Sequence, residues 1–174
     1  MVWQNDPLLR VLASGSILVV LARAVVEKVF AYSRFVSNVR DYRLLPAASA
    51  PFAAAALMAA EMAAMSCLLV SPYAAGGALL SILLFAGCAV AMAAALVAGR
   101  AEIDCACGGN GQVVSWPLVV RNIVLVVIAG SILLPTDSSA LSRPKILLGL
   151  AALLAAYLLL AIAERAMERW GAIR

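Results

Sequence analysis

The sequence predicts an all-α integral membrane protein, a compact bundle of about five transmembrane helices. Three observations carry that expectation. Of 174 residues, 66% are hydrophobic and 13% charged, whereas soluble domains run nearer half apolar and a quarter charged. The mean hydropathy is +1.04, and a soluble fold of this length has too little polar surface to cover so much apolar chain. The apolar residues also gather into five stretches close to the ~20 residues that a bilayer crossing needs. Soluble enzymes, nucleic-acid binders and disordered chains are poor readings of such a composition. Thirteen Lys and Arg stand against nine Asp and Glu. In a chain this apolar, the basic excess bears on membrane orientation rather than on nucleic acid.

The spans are expected at 8–30, 47–70, 74–98, 117–134 and 146–163, within a single helical domain over 1–174. The first is apolar through Leu21 and then carries Arg23, Glu27 and Lys28. It lacks a basic leading region and an A-x-A-like cleavage site, so it reads as a retained helix rather than a cleaved signal. The second is interrupted only by Glu61, and Pro72-Tyr73 marks a turn so short that spans two and three must lie antiparallel. Rows of alanine at four-residue spacing (Ala56, Ala60 and Ala64; Ala91 and Ala95; Ala152 and Ala156) are expected to let helix backbones approach closely in lipid. Ser115-Trp116-Pro117 reads as a helix start, with Ser115 at the cap position. The segment 164–174 reads as an interfacial tail.

Two groups of residues can carry chemistry. Between spans three and four lie Arg100, Asp104, Cys105, Ala106, Cys107 and Gly108. Two cysteines one residue apart close a disulfide only in a small, strained ring, and strain makes a bridge easier to reduce. Such a pair suits exchange better than structural support. Half of a metal site is the poorer reading: Cys67 and Cys88 are the only other cysteines and the chain has no histidine, so no metal is expected. A lone structural bridge here would close almost no loop and stabilise little. Both cysteines sit in a polar loop, where burial does not explain them. Cys67 and Cys88 are expected about 15 Å apart in depth, too far to pair, and Cys88 reads as packing beneath the loop.

The second group is charge inside the membrane. Glu61 at mid-span is a functional-site hypothesis by default. Arg23, Lys28 and Arg121 approach the same face in this layout and are expected to converge on Glu61 below the cysteines. A buried ion-pair network that fixes helix packing explains the same residues.

These residues also carry a family resemblance. Lys28 with Phe30, Asp41-Tyr42-Arg43-Leu44-Leu45-Pro46, Glu61, Gly99-Arg100, Ile103-Asp104-Cys105-Ala106-Cys107-Gly108 and Arg121-Asn122 resemble the MauE family of methylamine-utilisation membrane proteins, within the broader DoxX/MauE-like group. The match covers about residues 20 to 130, and the cysteine element is its specific part. The family pattern reads Cys-Gly-Cys-Phe-Gly; here Ala106 replaces the intervening glycine and Gly108 the aromatic residue. The resemblance implies an inner-membrane, multi-pass thiol–disulfide redox protein. Its partner would be a thioredoxin-like periplasmic protein of the MauD kind. Its client would be the disulfide-rich small subunit of methylamine dehydrogenase, with Cys105 and Cys107 as the exchanging pair. By fold-level analogy alone, a four-helix core is similar to membrane thiol oxidoreductases of the vitamin K epoxide reductase and DsbB kind.

The charge count disagrees with a periplasmic cysteine loop. Arg34, Arg40 and Arg43 would share its side, while Arg10, Arg143 and Lys145 lie opposite, the reverse of the positive-inside pattern. Thiol exchange with a disulfide-rich client requires an oxidising compartment, and the periplasmic side is the expectation adopted. One cysteine pair cannot carry electrons across a bilayer, so the acceptor is a separate molecule; a quinone near Glu61 and Arg121 is the candidate. A non-enzymatic anchor or chaperone for the thioredoxin-like partner is the alternative function. A small-solute transporter is favoured least, because no helix is broken by Gly or Pro at mid-span in paired halves.

Overall fold

The computed structural model describes residues 6–100, 103–105 and 113–135. Among these, five α-helices account for almost all regular structure: α1 Pro7–Phe30, α2 Tyr32–Asp41, α3 Ala50–Leu69, α4 Ala74–Val97 and α5 Trp116–Ser131. A 3-10 turn, Ala47–Ser49, leads directly into α3, and another, Ser71–Tyr73, joins α3 to α4. Three segments are long and apolar enough to cross a membrane: Pro7–Phe30, Ala47–Leu69 and Ala74–Val97; Trp116–Ser131 is apolar but shorter. The protein is a helical membrane bundle. The predicted fifth span at 146–163, the tail at 164–174 and the alanine row at Ala152 and Ala156 lie outside the described residues.

Capping explains where α1 begins and where α4 ends. Asp6 Oδ1 accepts a hydrogen bond from the Leu8 amide at 2.9 Å, with Pro7 in the first turn, where the lost N–H costs nothing. At the other end of α4, the Gly99 amide donates to Leu96 O and the Arg100 amide to Ala95 O. Gly99 has φ +71, so the two bonds form a Schellman motif that only glycine adopts without strain. Helix α5 begins where Ser115-Trp116-Pro117 indicated. Ser115 contributes its backbone carbonyl, which accepts from Leu118 and Val119, and not its hydroxyl.

Helix α4 is the centre of the bundle. It packs on α5 and α3, while α1 packs on α3 and α5. One apolar cluster joins the four around Ile17, Leu21, Leu68, Phe85, Leu125 and Ile132. The α3–α4 approach is close because of glycine: a methyl group on Gly77 would stand 2.7 Å from Leu68 N and 2.9 Å from Ala64 O. Of the alanine row expected at this face, Ala64 is buried but Ala56 is exposed and Ala60 half-buried. The face that α3 buries runs instead through Ala50, Ala54, Glu61, Ala64 and Leu68. The small-residue mechanism operates, but Gly77 supplies it. Large apolar residues such as Phe30, Phe52, Leu83, Val90 and Val127 remain exposed, as lipid-facing positions require.

Helix α2 is absent from the sequence-based expectations. It is a short amphipathic helix between spans one and two. Phe35 is its buried residue, and Val39 and Tyr42 continue that edge at helical spacing. Tyr32 donates from its hydroxyl to Pro51 O at 3.2 Å, which ties the helix to the start of α3.

Gly77→Ala is expected to destabilise the protein by about 1–3 kcal/mol through the backbone clash. Gly76→Ala, which meets nothing within 4 Å, should instead gain up to about 1 kcal/mol of helix propensity. Thermal melting of the two variants in detergent compares them; equal melting temperatures would refute the close-packing account.

Candidate functional site

The intramembrane charges resolve into separate contacts. Lys28 Nζ donates to Glu61 Oε1 in a buried ion pair between α1 and α3. The same ammonium sits 5.0 Å from the centre of the Phe35 ring on α2, a cation–π contact that adds to the stabilisation of a desolvated charge. Burying two charges is tolerable only when each is well paired; here one carboxylate oxygen and one aromatic face receive the lysine. Glu61 Oε2 is buried without a hydrogen-bond partner. Arg23 does not converge on this pair. Its Nε donates to Glu27 Oε1 at 2.9 Å, one turn along α1 and part-exposed. Arg121 stands on α5, which packs on α4 and α1, one turn past Leu118 in the cluster around Cys105. In place of the expected single polar cluster stand the buried Lys28–Glu61 pair and the local Arg23–Glu27 pair, with Arg121 on α5.

The cysteine loop is closed at its base. Asp104 and Val113 form an isolated antiparallel bridge, and the Val114 amide donates to Ile103 O at 2.9 Å. Arg100 braces the approach from α4, donating from its guanidinium to Tyr42 O at 3.0 Å, where α2 ends. These contacts set the stem of the loop against the bundle and turn Cys105 inwards. Cys105 is 4% exposed, in a cluster with Tyr42, Met92, Ala95, Val114 and Leu118. Its thiol donates to Met92 Sδ at 3.6 Å. The sequence placed Cys105 in a polar loop; the structure returns the chain into the bundle, so that Cys105 meets a residue five positions before the end of α4, ~8 Å down the helix. Cys107 lies outside the described residues.

Cys105 and Cys67 are thiols, whereas Cys88 is in a disulfide. Cys67 and Cys88 do not pair, as their depths predicted. Cys88, read from sequence as packing, is one half of a disulfide. It stands one helical turn from Met92 on α4, on the same face, and packs against the Cys105 cluster. Its other side faces an apolar cavity of about 340 Å³ between α2, α3 and α4, walled by Val39, Tyr42, Leu57, Leu84 and Gly87. No group of three or more His, Cys, Asp or Glu placed to hold a metal occurs among the described residues. That Cys88 lies against the Cys105 cluster is recognisable only after the loop is seen to dip.

Removing one partner of the Lys28–Glu61 pair, by Lys28→Met or Glu61→Gln, is expected to cost about 3–5 kcal/mol, because an uncompensated polar group stays buried. Lys28→Met combined with Glu61→Leu should recover most of that loss. Melting temperatures of the three variants provide the measurement, and a double variant as unstable as the worse single one would contradict the pairing.

Residues 6–135 match the family model described as methylamine utilisation protein MauE. The chain is similar to the methylamine utilization protein MauE of Paracoccus denitrificans, 37% identical over 108 residues that make up 61% of this chain and 58% of that protein. It is also similar to that of Paracoccus versutus, 34% identical over 127 residues, 72% of this chain and 68% of that protein. It thus spans less than two thirds of the length of the Paracoccus denitrificans relative. No solved structure matches the chain. The matched residues include Lys28, Glu61, Cys88, the closed loop with Cys105, and Arg121; the chain belongs to the MauE family.

Proposed function

We propose that this protein is an inner-membrane thiol–disulfide redox protein of methylamine utilisation. In this reading Cys105 and Cys107 exchange with a thioredoxin-like, MauD-like periplasmic partner, and the exchange serves disulfide formation in the small subunit of methylamine dehydrogenase. The observation that supports it is a buried Cys105 thiol at Met92 Sδ, in a cluster against which the disulfide-bonded Cys88 of α4 also packs. A thiol beside a disulfide is the minimal equipment for exchange, which proceeds by thiolate attack through a mixed disulfide. Arg100 and Arg121, at the two ends of the connection, are the supporting cations of the site. Net oxidation needs an acceptor. A lipid-soluble quinone fits that need by class, and the cavity lined by Cys88 offers it apolar space.

The burial of Cys105 favours a second reading. A protein that only anchors the thioredoxin-like partner would use a buried cysteine to lock its loop. The two readings diverge on one substitution. Under exchange, Cys105→Ser and Cys107→Ser each reduce methylamine dehydrogenase maturation to the level of a strain without the protein, while the partner still co-purifies. Under anchoring, Cys105→Ser leaves both maturation and co-purification unchanged.

The side of the membrane is tested separately. In intact cells, a membrane-impermeant maleimide is expected to label the loop cysteines after mild reduction, as a periplasmic loop requires. Labelling that appears only after permeabilisation would place the loop in the cytoplasm, on the side favoured by the positive-inside pattern, and would sink the periplasmic partner.

A further inference from the structure

We infer that α2 and the turn after it form a binding surface for the headgroups of anionic phospholipids, with Arg34, Arg40 and Arg43 as its cations. These residues take no part in the exchange chemistry proposed for the cysteines, and the surface stands independently of it.

Depth comes first. Large, exposed apolar side chains bracket α2 along the chain: Phe30 at the end of α1 is 87% exposed, and after α2 come Leu44, Leu45 and Phe52, the last 78% exposed. In a membrane protein such residues face acyl chains. The hydrogen bond from Tyr32 to Pro51 O sets the start of α2 beside the start of α3, which brings Phe30 and Phe52 to similar depth. A ten-residue amphipathic helix tied at that level lies in the interface, with Phe35 turned into the bundle and its polar residues among the headgroups.

Charge decides what meets it there. Over residues 29–60, three arginines stand against one acid, Asp41. All three are exposed, and among the described residues none of them forms an ion pair. Lys28, just before this stretch, is committed to Glu61. Guanidinium matches phosphate by pairs of parallel hydrogen bonds. An acidic protein would complement the same charge, but the acyl-facing residues on both sides of α2 keep this surface against lipid.

The backbone of Arg43 supplies an independent observation. Its φ is +50, and among the described residues it is the one non-glycine in the left-handed region. A residue with a Cβ is strained there, whereas glycine is not. The strained turn separates Tyr42, whose carbonyl receives Arg100, from the exposed Leu44 and Leu45. Glycine would make this turn more easily, so strain retained under an arginine points to a use for its side chain. Phosphate bound here also holds α2 down, and with it Tyr42 in the cluster around Cys105.

The test takes the full-length protein, delipidated in a neutral detergent, and titrates it with phosphatidylglycerol or phosphatidylcholine of the same acyl chains, with native mass spectrometry as the readout. Phosphatidylglycerol is expected to bind more tightly by about tenfold or more. Arg34→Gln, Arg40→Gln and Arg43→Gln should each weaken it by about fivefold, and leave phosphatidylcholine unchanged. Arg43→Gly should lose as much as Arg43→Gln while melting no lower than the wild type, which separates loss of the cation from loss of the turn. Equal affinity for the two lipids would overturn the inference. So would variants that keep the preference for phosphatidylglycerol, and if those variants also fail to co-purify the thioredoxin-like partner, the arginines belong to a protein interface instead.

Discussion

The buried Lys28–Glu61 pair constrains more of this bundle than any other contact. Two opposite charges in an apolar interior cannot slide past each other, because separating them leaves each one desolvated and uncompensated. The pair therefore fixes the register of α1 against α3. The same ammonium reaches the Phe35 ring, so α2 is positioned by it as well. From α2 the constraint passes onward: Tyr42, just beyond that helix, receives Arg100 through its carbonyl and closes one side of the cluster around Cys105. Charges in the membrane thus place an amphipathic helix, and that helix supports the loop that carries the cysteine.

The second determinant is the way α4 ends. A Schellman motif with Gly99 in the left-handed region turns the chain sharply, and the bridge between Asp104 and Val113 closes the connection. A polar connection would ordinarily rise towards water. This one is held down at its stem, and Cys105 is buried where the Met92 thioether accepts its S–H. Soft sulfur–sulfur and sulfur–apolar contacts suit a thiol that is kept from solvent. The same segment lies within the residues that match the MauE family model.

Much of the membrane architecture is legible in the sequence because transfer into lipid is a local property. Each span is stabilised by its own side chains, so α1, α3 and α4 appear within a few residues of where hydropathy puts them. Lys28 and Glu61 stand out for the same reason, as charges where charges are costly. Pro and Gly mark helix ends through their own backbone preferences, as at Pro7 and Gly99. Helix α2 is not legible in that way. Its stripe of Phe35, Val39 and Tyr42 lies among Ser, Asn and Arg, and the helix is stabilised by packing on α3 and α1 rather than by its own composition.

By itself, the sequence determined that the chain is a helical membrane protein, which residues are charged within it, and that paired cysteines follow the third span. Only the tertiary structure decided which charges meet: Arg23 finds Glu27 one turn away, whereas Lys28 crosses to another helix. It also decided that Gly77 packs against the backbone at Leu68 and Ala64, while Ala56 is exposed and Ala60 half-buried. Above all it decided the state of the cysteines, with Cys105 buried as a thiol and Cys88 oxidised. The physical reason is common to all three. Hydropathy and backbone preference belong to single residues, but a charge pair, a backbone contact and a disulfide each need two groups brought within a few ångströms, and only the packed helices and the closed loop set those distances.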